Sequence, residues 1–198
     1  MSLTKWRVQR TILISSLFVL AATAGLMADE EYKAKLSGAE EVPAVETDAK
    51  GKAEFSVTPD GMGVRYELKV KGVTDLHMAH IHLAAAGANG PVVVWLYPVD
   101  PPAIMIPGEF HGTLAIGTFT AASLVGPLAG MTIADLVVYL QNGGAYVNIH
   151  SAEYPGGVIR GQIQFDPEDD DDSDDVDDSD DDSPSRSSAR RSDASGLR

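Results

Sequence analysis

The chain has 198 residues, no cysteine and a formal net charge of −14, which excludes a disulfide framework, thiolate metal ligands and a catalytic thiol. Its charge is uneven, basic at the start and most acidic from Asp166 onward. No basic stripe is visible along the sequence, so nucleic acid and anionic membrane surfaces are not expected as partners.

Residues 1–28 place Lys5, Arg7 and Arg10 before an apolar run from Ile12 to Ala22 and then small residues. That is the plan of a secretory signal peptide, with cleavage after Ala24 or Ala28, and the run is short for a membrane span. The expected location is secreted, extracellular or periplasmic, with no transmembrane span once the leader is removed.

The next segments alternate apolar and polar residues as half-buried strands do. Tyr32, Ala34 and Leu36 mark a first strand ending at Ser37-Gly38. Ala53, Phe55 and Val57 mark a second, and Pro59 to Gly63 turns the chain into a third, Val64 to Lys71, so that the two form a hairpin with one wet face. After a break at Gly72–Asp75 comes the strand holding Met78-Ala79-His80-Ile81-His82. Pro91 to Tyr97 is apolar on both faces. Pro98 to Gly108 is a proline-rich loop carrying Ile104-Met105-Ile106, which either folds back on the sheet as a lid, the favoured reading, or presents an apolar patch to a partner. Phe110 to Thr120 is a further strand. Thr132, with Asp135 three residues on, caps a helix whose apolar face is Ile133, Leu136, Val137 and Leu140 and which Gly143-Gly144 ends. Ala145 to His150 and Val158 to Phe165 form the last hairpin around Tyr154-Pro155-Gly156-Gly157. One short helix among seven or eight strands predicts an all-β fold. From 166 to 198 the apolar content collapses into an acidic and then a Ser/Arg-rich tail, expected to be disordered.

Alternation puts His80 and His82 on one strand face, and Tyr146, Asn148 and His150 on one face of another strand. If the two strands meet, three imidazoles converge. Copper or zinc suits such a trio as a candidate site, while core histidines hydrogen-bonded to backbone and to Asn148, Glu41 or Arg160 are the other reading. His77 and His111 are weaker candidates, and His77 is expected to face the opposite side. Arg160 and Gln162 share a face of the last strand. Buried, Arg160 requires a partner, for which Glu41 is the candidate, giving a structural or binding network of Glu41, Asn148, Arg160 and Gln162. No hydrolase, metalloprotease or nucleotide-binding motif occurs, so no catalytic residue is assigned.

The run Leu36-Ser37-Gly38-Ala39-Glu40-Glu41-Val42-Pro43, then Ala79-His80-Ile81-His82, Asn89-Gly90-Pro91, Tyr146-Val147-Asn148-Ile149-His150 and Tyr154-Pro155-Gly156-Gly157-Val158-Ile159-Arg160-Gly161-Gln162, resembles the CHRD domain family, named for the repeats of chordin. The likeness covers about 29–165 and departs from the family pattern at Val158, His77 and His111. It implies an antiparallel, Greek-key-like β-sandwich or barrel, analogous to copper-zinc superoxide dismutases, which also carry an H-x-H pair. It also implies a secreted binding or structural module with no established catalysis, whose partner is an extracellular protein or envelope component. The alternative is a copper- or zinc-binding metalloprotein with a three-histidine site, for which dismutase-like redox activity is a candidate; divalent cations are candidate small partners.

Overall fold

The computed structural model describes residues 30–167. The leader and all of the tail except Asp166 and Pro167 therefore lie outside the described residues. The elements in order are β1 (Glu31–Ser37), β2 (Lys50–Val57), β3 (Gly63–Leu83), β4 (Val92–Tyr97), β5 (Ile106–Thr120), α1 (Ile133–Gln141), β6 (Ala145–Ser151), β7 (Ile159–Gln162) and β8 (Gln164–Phe165), with three short 3-10 turns between them. The fold is all-β and antiparallel. Strand neighbours run β2-β1-β7-β6-β3, and β2 pairs β3 again, so the sheet closes on itself as a barrel; β4 and β5 are both attached to β3. No helix among the described residues is long and apolar enough to cross a membrane.

Closure follows from the alternation. Tyr32, Ala34 and Leu36 of β1, Ala53 and Phe55 of β2, Val64, Tyr66, Leu68 and Val70 of β3, and Val147 and Ile149 of β6 are all buried in one core. Helix α1 adds Ile133, Leu136 and Leu140 to it. Its start is fixed by a reciprocal cap, in which the Asp135 amide donates to Thr132 Oγ1 at 3.3 Å and the Thr132 amide donates to Asp135 Oδ2 at 2.8 Å.

Three sequence expectations are corrected. Gly72–Asp75 does not break the chain, because β3 is one 21-residue strand that absorbs the irregularity as bulges. Gly72 (φ 77°) and Asp75 (φ 50°) take left-handed conformations there, and the register with β5 slips at Lys71/Val73 and Thr74/Leu76. The first half of β3 therefore serves β2 and β5, and the second half serves β4 and β6.

The apolar loop triplet divides. Ile106 opens β5 opposite Leu76 and packs on the core, whereas Ile104 and Met105 are 54% and 53% exposed. The lid amounts to Ile106 and to the Ile104 amide, which donates to the His77 carbonyl at 3.3 Å.

A basic stripe does exist once the strands are assembled. Lys35 lies opposite Lys52, Lys52 opposite Lys69, and Lys50 opposite Lys71 on the outer face of β1, β2 and β3.

Candidate metal centre

Strand β6 is buried along its whole length. Ala145, Val147 and Ile149 enter the barrel core, so Tyr146, Asn148 and His150 must face outward; loops cover that outer face. In register, His82 lies opposite Tyr146, His80 opposite Asn148 and Met78 opposite His150. Beyond β6, Asn148 lies opposite Arg160 and Tyr146 opposite Gln162. The result is a buried polar layer, three strands wide, between the barrel wall and the loops.

The sequence-predicted trio comes together there. One ring nitrogen from each of His80, His82 and His150 lies within 4.8 Å of the others. Ring centroids are 4.9 Å apart for His80/His150, 5.6 Å for His80/His82 and 5.9 Å for His82/His150. Nitrogens bonded at about 2.0–2.1 Å to one tetrahedral ion stand about 3.3 Å apart. The His80 Nδ1 to His150 Nε2 separation is 3.1 Å.

Hydrogen bonds set the tautomers. His82 Nδ1–H donates to the Gly90 carbonyl at 2.9 Å, and His150 Nδ1–H donates to the Pro155 carbonyl at 3.0 Å. A carbonyl only accepts, so each neutral ring keeps a bare lone pair on Nε2. Such a contact from the non-ligating nitrogen is the usual way a metal-binding imidazole is oriented. His80 Nε2 and His82 Nε2 are buried without a hydrogen-bond partner among the described residues. Burial, reinforced by the neighbouring imidazoles, pushes His80 down to about 3 and His150 down to about 4. His82 is also lowered, chiefly by burial. All three are neutral at ordinary pH, the form in which imidazole is a ligand.

His77 was expected on the opposite side. The register slip between Leu76 and Met78 turns it toward the trio instead, with its ring 6.5 Å from that of His150. His111 stays apart, half-exposed beside Glu109 at 3.5 Å. Sequence reasoning also missed Trp95, whose ring stands edge-on to His80 at 4.3 Å because β4 pairs the two positions. Alternation within Val92–Tyr97 would have placed Trp95 on a face but could not supply that pairing.

The expected Arg160–Glu41 ion pair does not form within 4.0 Å among the described residues. Arg160 is 1% exposed and is satisfied otherwise. It donates to Asn89 Oδ1 at 3.2 Å and to the Ala85 carbonyl at 3.4 Å, and its guanidinium sits 3.5 Å over the Tyr146 ring. His82 is stacked on the same tyrosine at 4.9 Å. Gln162 donates to the Ala84 and Gly143 carbonyls at 2.9 and 2.6 Å, and Asn148 to the Gly156 carbonyl at 3.3 Å. These side chains hold down the loops that bury the histidines. Burial raises Glu41 to about 7, against the opposing pull of the Arg160 charge.

No curated protein and no solved structure matches the chain. The family model described as "CHRD domain" matches residues 32–163. That span takes in the barrel almost from end to end, from Tyr32 of β1 past the Arg160 strand, with the histidine strands inside it. The chain belongs to the CHRD domain family.

Proposed function

We propose that this is an exported CHRD-domain protein that binds one divalent transition-metal ion, zinc or copper, through His80, His82 and His150, as a binding module rather than an enzyme. The carrying observation is the convergence of three neutral imidazoles, two of them, His82 and His150, aimed by backbone carbonyls so that Nε2 carries the lone pair. Nitrogen ligands without thiolate suit zinc and copper(II) better than magnesium or calcium, which take oxygen. Export is supported by the leader pattern of 1–28.

Binding rather than turnover is favoured by access. His80, His82 and His150 are 3%, 8% and 5% exposed, so a substrate would have to displace the loops pinned by Arg160 and Gln162 to reach an ion held there. A bound ion would supply charge and rigidity to this end of the barrel, and copper would add redox capacity. The unbound trio is held by the His80 to His150 hydrogen bond, which requires His80 Nδ1 to be the donor.

The test is metal content and titration of protein purified without chelator. One zinc or copper(II) per chain is expected, with quenching of Trp95 fluorescence by copper. The His80→Ala/His82→Ala double variant, checked for folding by circular dichroism, should lose affinity by about 100-fold or more, since even outer contacts to such ligands are worth about 10–100-fold. A folded wild type that takes up neither ion would leave the trio as a hydrogen-bonded structural cluster.

A further inference from the structure

Apart from the buried Arg160, every lysine and arginine among the described residues lies on β1, β2 or the first half of β3: Lys33, Lys35, Lys50, Lys52, Arg65, Lys69 and Lys71. Alternation sends Tyr32, Ala34, Leu36, Ala53, Phe55, Leu68 and Val70 into the core, so all seven cations share the outer face. Their register is orderly. One line across the strands reads Ser37, Lys50, Lys71, His111, and the next reads Lys35, Lys52, Lys69, Thr113.

Neighbouring strands stand about 4.8 Å apart and alternate residues about 6.8 Å apart along a strand, so the five lysines form a stripe two rows wide. The stripe is bounded. The adjoining line reads Lys33, Glu54, Glu67; Lys33 is itself neutralised by Asp166, and the two carboxylates pair with Lys52 at 2.9 Å and Lys69 at 3.1 Å. Glu109 flanks the other side beside His111. Among the described residues Lys35, Lys50 and Lys71 have no acidic partner within 4.0 Å. Lys50 directly faces Lys71, and like charges opposed across a strand pair destabilise a sheet. This repulsion is maintained in a chain whose net charge is −14.

We propose that this stripe is a binding site for a linear acidic polysaccharide, a chain of uronate-type sugars laid across β1, β2 and β3. A narrow cationic line between acidic borders fits a single polyanionic strand, whereas a charged membrane would also meet the borders and be repelled. Neither row offers an apolar side chain to insert into lipid, and the single imidazole of His111 at the end of one row is no series of rings on which successive bases stack. An acidic peptide would gain no backbone pairing there, because the strands under the stripe are already paired on both sides. Ser37, Thr113 and His111 close the two lines with hydrogen-bonding groups suited to sugar hydroxyls. Lysine supplies point charges that tolerate varied carboxylate geometry.

The experiment is a binding titration of the full chain with polygalacturonate at low salt, in EDTA so that the histidine site contributes nothing. Fully methyl-esterified polygalacturonate, the same backbone without charge, is the control. The wild type should bind the acidic polymer and not the ester, and lose binding as salt rises. Lys50→Gln/Lys71→Gln should weaken binding roughly tenfold, the sum of two exposed ion pairs, while its melting temperature holds or rises because the facing charges are gone. Unchanged binding by this variant, or binding of the ester as tight as of the acid, overturns the proposal. So does tighter binding to poly-glutamate, single-stranded DNA or phosphatidylserine vesicles, each of which would reassign the stripe to that class of partner.

Discussion

Glu41 is 7% exposed and its Oε1 has no hydrogen-bond partner among the described residues. Arg160 is near enough to pull its carboxyl down, yet burial wins and the group ends at about 7. A carboxyl whose folded value exceeds its unfolded value stabilises the fold fully below the unfolded value of 4.5. That contribution is lost as pH rises through about 7. Glu41→Gln removes the ionisation while keeping the shape. It should therefore raise the melting temperature at pH 8.5 and give little or no advantage at pH 4.5, and equal effects at the two pH values would show that Glu41 is solvated after all. The same residue shows where sequence reasoning stops. That Arg160 would be buried and need partners was legible, but the partners are a loop amide, a carbonyl and the face of Tyr146, brought together only by the closing of residues 84–90 over β6 and β7.

At the scale of the element, β3 decides most of what the protein presents. Its two halves are both regular alternations, which is why the hairpin strand and the H-x-H strand were each legible. The join was not, because a bulge adds a residue without changing composition. Gly72 and Asp75 take positive φ at the earlier slips, and the slip between Leu76 and Met78 shifts the phase so that His77, one position out of step with His80, still comes round to the imidazole side. Gly72 is the tighter requirement of the two. A Cβ there would find its nearest neighbours at 3.6 Å, ordinary contact, so space is not limiting. The limiting factor is φ 77°, which costs an L-residue about 1–2 kcal/mol. Gly72→Ala should lower unfolding stability by about that amount in urea without changing the m-value, and no loss would mean that the bulge relaxes to another geometry. The lysine stripe has a similar history. Each strand shows lysines two apart, an ordinary wet face, and only the order β1, β2, β3 lines the pairs up into rows.

For the whole molecule, the absence of cysteine leaves stability to the core and to how its buried titratable groups respond to pH. His80 at about 3, His150 at about 4 and the lowered His82 all bind protons less readily folded than unfolded. Each is neutral in both states above the unfolded value of 6.5, where its full share of stability is present. That share falls as pH drops below 6.5 and the unfolded chain takes up protons that the fold refuses. Glu41 works the other way between 4.5 and 7, binding a proton in the fold that the unfolded chain releases. His80 and His150 against Glu41 leave the unfolded state richer by roughly one proton near pH 5.5, the lowered His82 adds to that excess, and each proton is worth about 1.4 kcal/mol per pH unit. The metal-free protein should thus gain stability steeply from pH 4.5 to 6.5 and level off above, and Glu41→Gln should steepen the rise. Zinc in excess should add about 2.7 kcal/mol at a hundred times its dissociation constant, and nearly as much below pH 6.5 as above it, because the folded His80 and His150 that bind it are already neutral there. Urea midpoints at pH 4.5, 5.5, 6.5 and 7.5, with EDTA and with zinc, separate the two effects. A metal-free profile flat across that range would mean that water reaches the three rings and that the loops tied down by Arg160 and Gln162 do not seal the layer.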